Sequence, residues 1–139
     1  MKNWKITDTT KKDWNEIKFQ LKEHHLDDSE ISIAQFVVCK EENKILGFGR
    51  IKKQNGFDEF CSLCVLEEHR NKGIGKALIE ARIKKSTQPI YIVTIIPKYF
   101  LPFGFEEVLN YPEPLEQKKN NCKLFYTEDK PVVMTFVKK

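Results

Sequence analysis

Phe60-Cys-Ser-Leu-Cys-Val-Leu-Glu-Glu-His-Arg-Asn-Lys-Gly-Ile-Gly-Lys-Ala-Leu-Ile79 reads as a strand, a tight turn and a helix. Phe60 to Leu66 is apolar except for one serine and has the length of a buried strand. Lys76 to Lys84 carries Ala77, Leu78 and Ala81 at helical spacing. Between the two lies Arg70-Asn-Lys-Gly73-Ile-Gly75. Two glycines one residue apart let backbone N–H groups converge on a ligand without Cβ clashes. The helix behind them offers unpaired N–H groups and the positive end of its dipole. Such a turn suits an anion, and a phosphate or pyrophosphate fits it. A turn that merely joins a strand to a helix would show the same glycines, so the decision rests on the wider spacing.

Two phosphate-binding motifs are excluded by that spacing. A P-loop needs Gly, four residues, then Gly-Lys-Ser/Thr. Here Gly75-Lys76 is followed by Ala77, and position 70 is Arg. A dinucleotide fingerprint needs a third glycine three residues after the second. That position is Leu78. What remains is Arg-x-x-Gly-x-Gly after a strand ending Leu-x-Val. This resembles the acetyl-CoA-binding motif of the GNAT acetyltransferase superfamily, Gln/Arg-x-x-Gly-x-Gly/Ala. Arg70, Gly73 and Gly75 fall on its three fixed positions.

Length and composition agree with a single folded domain. A chain of 139 residues is expected to form one domain, residues 1–139, with a real core. Hydrophobic residues at 40% and aromatics at 12% argue against disorder. The charge count, 24 minus 20, gives +4 spread along the chain. That reads as a solvated surface, with no nucleic-acid partner expected. No apolar run approaches the ~20 residues of a membrane span. Met1-Lys-Asn-Trp-Lys-Ile lacks the apolar core of a signal peptide, so a cytoplasmic location is expected and no membrane contact.

Cys61 and Cys64 have CxxC spacing, but both fall on one strand, where side chains three apart face opposite sides. Cys39 and Cys122 stand alone. All four read as reduced, mostly buried residues, and no metal site is expected.

Along the chain, Trp4 to Thr7 is a short strand candidate. Thr9 or Thr10 can cap a helix to about Glu23, with Trp14, Ile17 and Leu21 on one apolar stripe and His24-His25 at its end. Ala34–Cys39, Ile45–Lys53 and Phe57–Leu66 read as three antiparallel strands, the last two joined at Asn55-Gly56. Tyr91–Ile96 is a β-branched strand, and Tyr99–Phe103 is at most a short helix interrupted by Pro102. Gly104–Val108 and Val132–Val137 are strands, and Asn110–Pro131 reads as a long loop. The resulting order β-α-β-β-β-α-β-α-β-β is similar to that of the GNAT fold. Phe103-Gly104-Phe105 resembles the family's Leu-Gly-Phe.

The resemblance implies an α/β (α+β) GNAT fold. Its central mixed sheet would have about six to seven strands, with splayed parallel strands flanked by helices. It implies acetyl-CoA as co-substrate, wedged between Phe60–Leu66 and Tyr91–Ile96. Backbone groups of Leu63, Cys64 and Val65 would bond the pantetheine arm. N–H groups of Arg70, Asn71, Lys72, Gly73, Ile74, Gly75 and Lys76 would hold the pyrophosphate. A primary amine, on a small molecule or a protein, would attack the thioester directly, and the protein would be a monomer or homodimer.

Glu59, six residues before Val65 as in the histone-acetylating branch, is the candidate general base. An ordinary water-facing strand carboxylate is the alternative. Asp58 points the other way on the strand, and His69 reads as a surface residue. Family members often carry Phe-Tyr before Leu-Gly-Phe, the Tyr protonating the leaving thiolate. Here the order is Tyr99-Phe100, so the acid is missing or displaced to Tyr99. Counting back from Gly104, Phe100 would face the thioester. A non-catalytic acyl-CoA-binding module of the same fold is the competing reading.

Overall fold

The computed structural model describes residues 3–24, 26, 28, 30–122 and 130–137. They form two compact units that share strand β4 (Asp58–Val65). One unit comprises Met1–Lys52 and Phe60–Ser86, the other Lys53–Glu59 and Thr87–Lys139.

In the first unit, β1 (Lys5–Asp8) runs antiparallel to β2 (Phe36–Glu41), and β2 antiparallel to β3 (Lys44–Lys53). A bulge at Cys39/Lys40 shifts the β2–β3 register. Helix α1 (Lys11–Glu23) starts where Thr10 turns extended. There the Asp13 carboxylate accepts the Thr10 N–H at 2.9 Å, and Lys40 closes an ion pair with Asp13 at 2.8 Å. The spacing of α1 puts Ile17 and Leu21 at zero exposure against Phe36, Val38, Phe48 and Cys64. Trp14 packs half-buried on the same cluster, edge-on to Phe36. Helix α2 (Ile74–Lys85) buries Ile74 and Leu78 against Val37, Cys39 and Leu46.

In the second unit, the Asp58–Glu59 end of β4 pairs parallel with β5 (Ile90–Thr94), through Asp58↔Ile90 and Glu59↔Tyr91. β5 is antiparallel to β7 (Val132–Phe136), which is antiparallel to β6 (Phe105–Glu107). Helix α3 (Pro97–Phe100) runs into a 3-10 turn at Leu101–Phe103. Helix α4 (Glu113–Cys122) buries Leu115 with Phe57 and Val133. Hydrogen bonds order the seven strands β1-β2-β3-β4-β5-β7-β6, a mixed sheet of the expected kind.

Four expectations change. α2 begins at Ile74 rather than Lys76, so Gly75 lies inside the helix. β5 ends at Thr94, two residues short of Ile96. A 3-10 turn at Ile33–Gln35 delays β2 to Phe36. The segment expected as a loop over 110–131 contains α4. Its Pro114 sits in the first turn, where a missing N–H costs nothing, and Glu113 and Glu116 suit the positive helix end. His25 and the side chain of Cys122 lie outside the described residues.

Candidate cofactor and amine site

The strand–turn–helix of the first unit assembles every residue expected to hold the cofactor. β4 leaves the sheet at Val65, passes a 3-10 turn at Glu67–His69, and reaches α2 through 70–73. Gly73 is the N-cap of α2 at φ +83° and ψ 7°, and Asn71 is also left-handed at φ +67°. A Cβ on Gly73 would meet nothing within 4 Å. Its conformation, not crowding, therefore calls for glycine. Gly75 has no positive φ and is buried in the first turn of α2. The two glycines thus do different jobs.

The first N–H groups of α2 have no intrahelical acceptors, and Gly73 supplies no side chain to cap them. They remain available to an anion, with the helix dipole behind them. Arg70, Asn71, Lys72, Gly73 and Lys76 are exposed around this end, while Ile74 is buried and anchors the helix. Arg70 Nε donates to the Val65 carbonyl at 3.0 Å, tying the turn to the end of β4. Lys72 Nζ lies 3.3 Å from His69 Nδ1. His69 is not the surface residue expected: its side chain is 14% exposed.

Leu63 and Val65 are half-buried on one face of β4, and Cys64 is buried on the other. Burial pushes the Cys64 thiol up to about 11, against a smaller opposing effect of the Arg70 cation. It stays a protonated thiol at neutral pH and is no nucleophile. Opposite it lies a residue that the sequence reading assigned no role. A Cβ on Gly47 of β3 would stand 2.6 Å from the Cys64 carbonyl oxygen and 3.3 Å from Val65 Cα. β3 approaches β4 there as only glycine permits. Cys39, Cys61 and Cys64 are in no disulfide, and no metal-binding group of three or more His, Cys, Asp or Glu occurs among the described residues.

The two candidate proton-transfer residues lie in the second unit. Glu59 is not water-facing: it is 5% exposed. Gln54 Nε2 donates to its Oε1 at 3.3 Å, and Lys118 of α4 forms an ion pair with its Oε2. Lys118 was not singled out from sequence, because its segment reads as loop. Asp58, on the opposite face, accepts from Gln88 Nε2 at 2.8 Å.

Tyr99 is 39% exposed and packs edge-on to Phe100 and Phe103. Partial burial pushes its phenol above the ordinary range. Phe100 is 4% exposed and packs on Phe105, so it is a core residue. The count back from Gly104 that turns Phe100 to the thioester runs through the 3-10 turn Leu101–Phe103, where each residue advances about 120° rather than 100°.

The family model described as Acetyltransferase (GNAT) domain matches residues 32–107. The chain belongs to the GNAT acetyltransferase family. An uncharacterized N-acetyltransferase of Chlorobaculum tepidum is 31% identical over 101 residues, 65% of this chain and 63% of that protein. The chain thus spans under two thirds of that relative's length.

Among solved structures, the GNAT fold recurs in N-acetylglutamate synthase from Neisseria gonorrhoeae, complexed with coenzyme A and N-acetyl-glutamate. That match has a TM-score of 0.77 at 14% identity and covers 98% of this chain and 35% of that one. Arabidopsis thaliana Naa50, in complex with the bisubstrate analogue CoA-Ac-MVNAL, gives a TM-score of 0.67 at 17% identity, covering 99% and 100%. No helix among the described residues is long and apolar enough to cross a membrane.

Proposed function

We propose that this chain is an acetyl-CoA-dependent N-acetyltransferase, a single domain acting as monomer or homodimer, whose acceptor is a primary amine. The observation that carries the reading is the uncapped N-terminus of α2 behind the left-handed Gly73, directly after β4. That arrangement fits the pyrophosphate of coenzyme A. Acetyl-CoA, when bound, supplies the acetyl thioester. Backbone groups of Leu63, Cys64 and Val65 would bond its pantetheine arm, and N–H groups of Arg70 to Lys76 its pyrophosphate. A strand N–H would also polarise the thioester carbonyl.

Glu59 accepts the proton that the acceptor amine gives up as its N–C bond forms. Tyr99 donates a proton to the thiolate released when the C–S bond breaks. A phenol raised above its ordinary range holds its proton at neutral pH, as an acid must. The acceptor is a small amine or a protein amine. GNAT neighbours bound to N-acetyl-glutamate and to a peptide analogue support that range.

Phe100, where many family members carry the proton-donating Tyr, favours one second reading, a module that holds acyl-CoA without transfer. Thiol release from acetyl-CoA with a panel of amines, beside calorimetric titration of coenzyme A, separates the two. Amine-dependent thiol release supports the enzyme. Binding with no release for any amine supports the module. No binding removes both.

A further inference from the structure

We propose that Lys118 is a positioning residue for Glu59, whose ammonium holds the buried carboxylate oriented to take the acceptor's proton. The inference rests on the reading of Glu59 as the base. The Glu59 side chain is 6% exposed. A charge out of water is costly unless it is paired and hydrogen-bonded, so a buried carboxylate is held where its partners are. Gln54 gives Oε1 a hydrogen bond but no charge. Lys118, 22% exposed and 59 positions further along, brings the cation to Oε2.

The fold delivers that cation through packing. Leu115 and Lys118 are three residues apart on α4 and share one face. Phe57 stands in the bend just before β4 and packs edge-on to Tyr91, the register partner of Glu59. Leu115 and Phe57 belong to one buried cluster with Val133. Seating Leu115 on Phe57 therefore sets Lys118 on Glu59.

The neighbouring ionisable groups are placed elsewhere. Glu116 accepts from the Tyr111 hydroxyl, and Lys119 lies over the Tyr111 ring at 5.9 Å. Asp58 takes the Gln88 amide on the far face of β4, and Tyr91 is the register partner of Glu59 on β5. Lys118 is thus the charged partner that the structure gives Glu59.

Three variants test this: Lys118→Met, Lys118→Arg and Glu59→Gln. The readouts are the pH profile of kcat/KM and an NMR titration of the Glu59 carboxyl carbon, which needs no activity. Lys118→Met should move the acid limb and the carboxyl midpoint up by about 1–3 pH units. Lys118→Arg, which keeps the charge, should restore both. If Lys118→Met does not fold, Lys118→Gln removes the charge while keeping a donor, with the same expectation.

A folded, charge-free variant whose limb and carboxyl midpoint stay at the wild-type positions overturns the inference. Glu59→Gln tells that failure from failure of the underlying reading. If Glu59→Gln keeps wild-type turnover, Glu59 is no base and Lys118 has nothing to position. If Glu59→Gln is impaired while the Lys118→Met profile is unmoved, only the role of Lys118 falls.

Discussion

Gly73→Ala is the perturbation whose cost the structure defines best. Gly73 caps α2 at φ +83°, and a Cβ there meets nothing within 4 Å. The penalty is therefore conformational rather than steric, about 1–2 kcal/mol for a side-chain-bearing residue held left-handed. It can surface in two places. If the turn keeps its shape, stability falls by that amount. At about 3–5 °C per kcal/mol for a chain of 139 residues, the melting temperature drops by about 3–10 °C.

If instead the turn relaxes to a negative φ, the N–H groups at the start of α2 no longer converge. The same energy then appears as a roughly 5–30-fold loss of coenzyme A affinity. Calorimetry with coenzyme A and a thermal melt, run on the same preparation, read both, and the two losses should sum to about 1–2 kcal/mol. Gly73→Asn should cost less, because Asn tolerates this region, as Asn71 does at φ +67°. A Gly73→Ala protein with wild-type melting and wild-type affinity would refute the left-handed cap and the anion site built on it.

The other predictions concern proton transfer, close packing and pH. Glu59→Gln should lower turnover about 10²–10⁴-fold. Higher pH should partly restore it, since the amine then arrives neutral, and wild-type turnover across pH would return Glu59 to a structural role. Tyr99→Phe should cut turnover more than tenfold at unchanged coenzyme A affinity, and an unimpaired variant would remove the phenol from the mechanism. Gly47→Ala places a Cβ 2.6 Å from the Cys64 carbonyl oxygen and should cost about 1–3 kcal/mol in urea unfolding; no loss would mean that β3 and β4 are further apart.

Asp13 gives the pH test. Burial pushes its carboxyl up, but the Lys40 and Thr10 contacts outweigh this and hold it below the ordinary 3.8. A depressed folded value stabilises above the unfolded value, and that stabilisation is lost as pH falls through the folded one. Asp13→Asn should therefore destabilise at pH 7, by about 1 kcal/mol as for a lost helix cap, and progressively less below about pH 4. A constant difference from pH 7 to pH 3 would contradict it.

The strand–turn–helix was legible because its signals are local. An apolar run, two glycines at fixed spacing and a helical stripe all lie within Phe60–Ile79. The amphipathic α1 was legible for the same reason, with Thr10, Ile17 and Leu21 in their observed places. Helix α4 was hidden by Pro112 and Pro114, which read as breakers. Pro114 in fact occupies the first turn, the one place a helix accepts proline.

Glu59 kept its place in β4, but its burial was invisible, because the cation that makes it tolerable comes from 59 residues away. Tyr99 and Phe100 are hard to place by counting from Gly104, because Pro102 lies in a 3-10 turn and helical spacing does not carry across one. Gly47 looked like any glycine in a strand. Its purpose shows only when the Cys64 carbonyl lies opposite it.

The central claim, that acetyl-CoA lies along β4 and on the start of α2, is tested most directly by NMR. Coenzyme A is titrated into isotopically labelled protein and the backbone amides are followed. The predicted result is that the largest shifts fall on Leu63 to Val65 and on Asn71 to Lys76, and that Gly73→Ala weakens them. Saturating coenzyme A that leaves both stretches unmoved, or that moves only residues elsewhere, would contradict it.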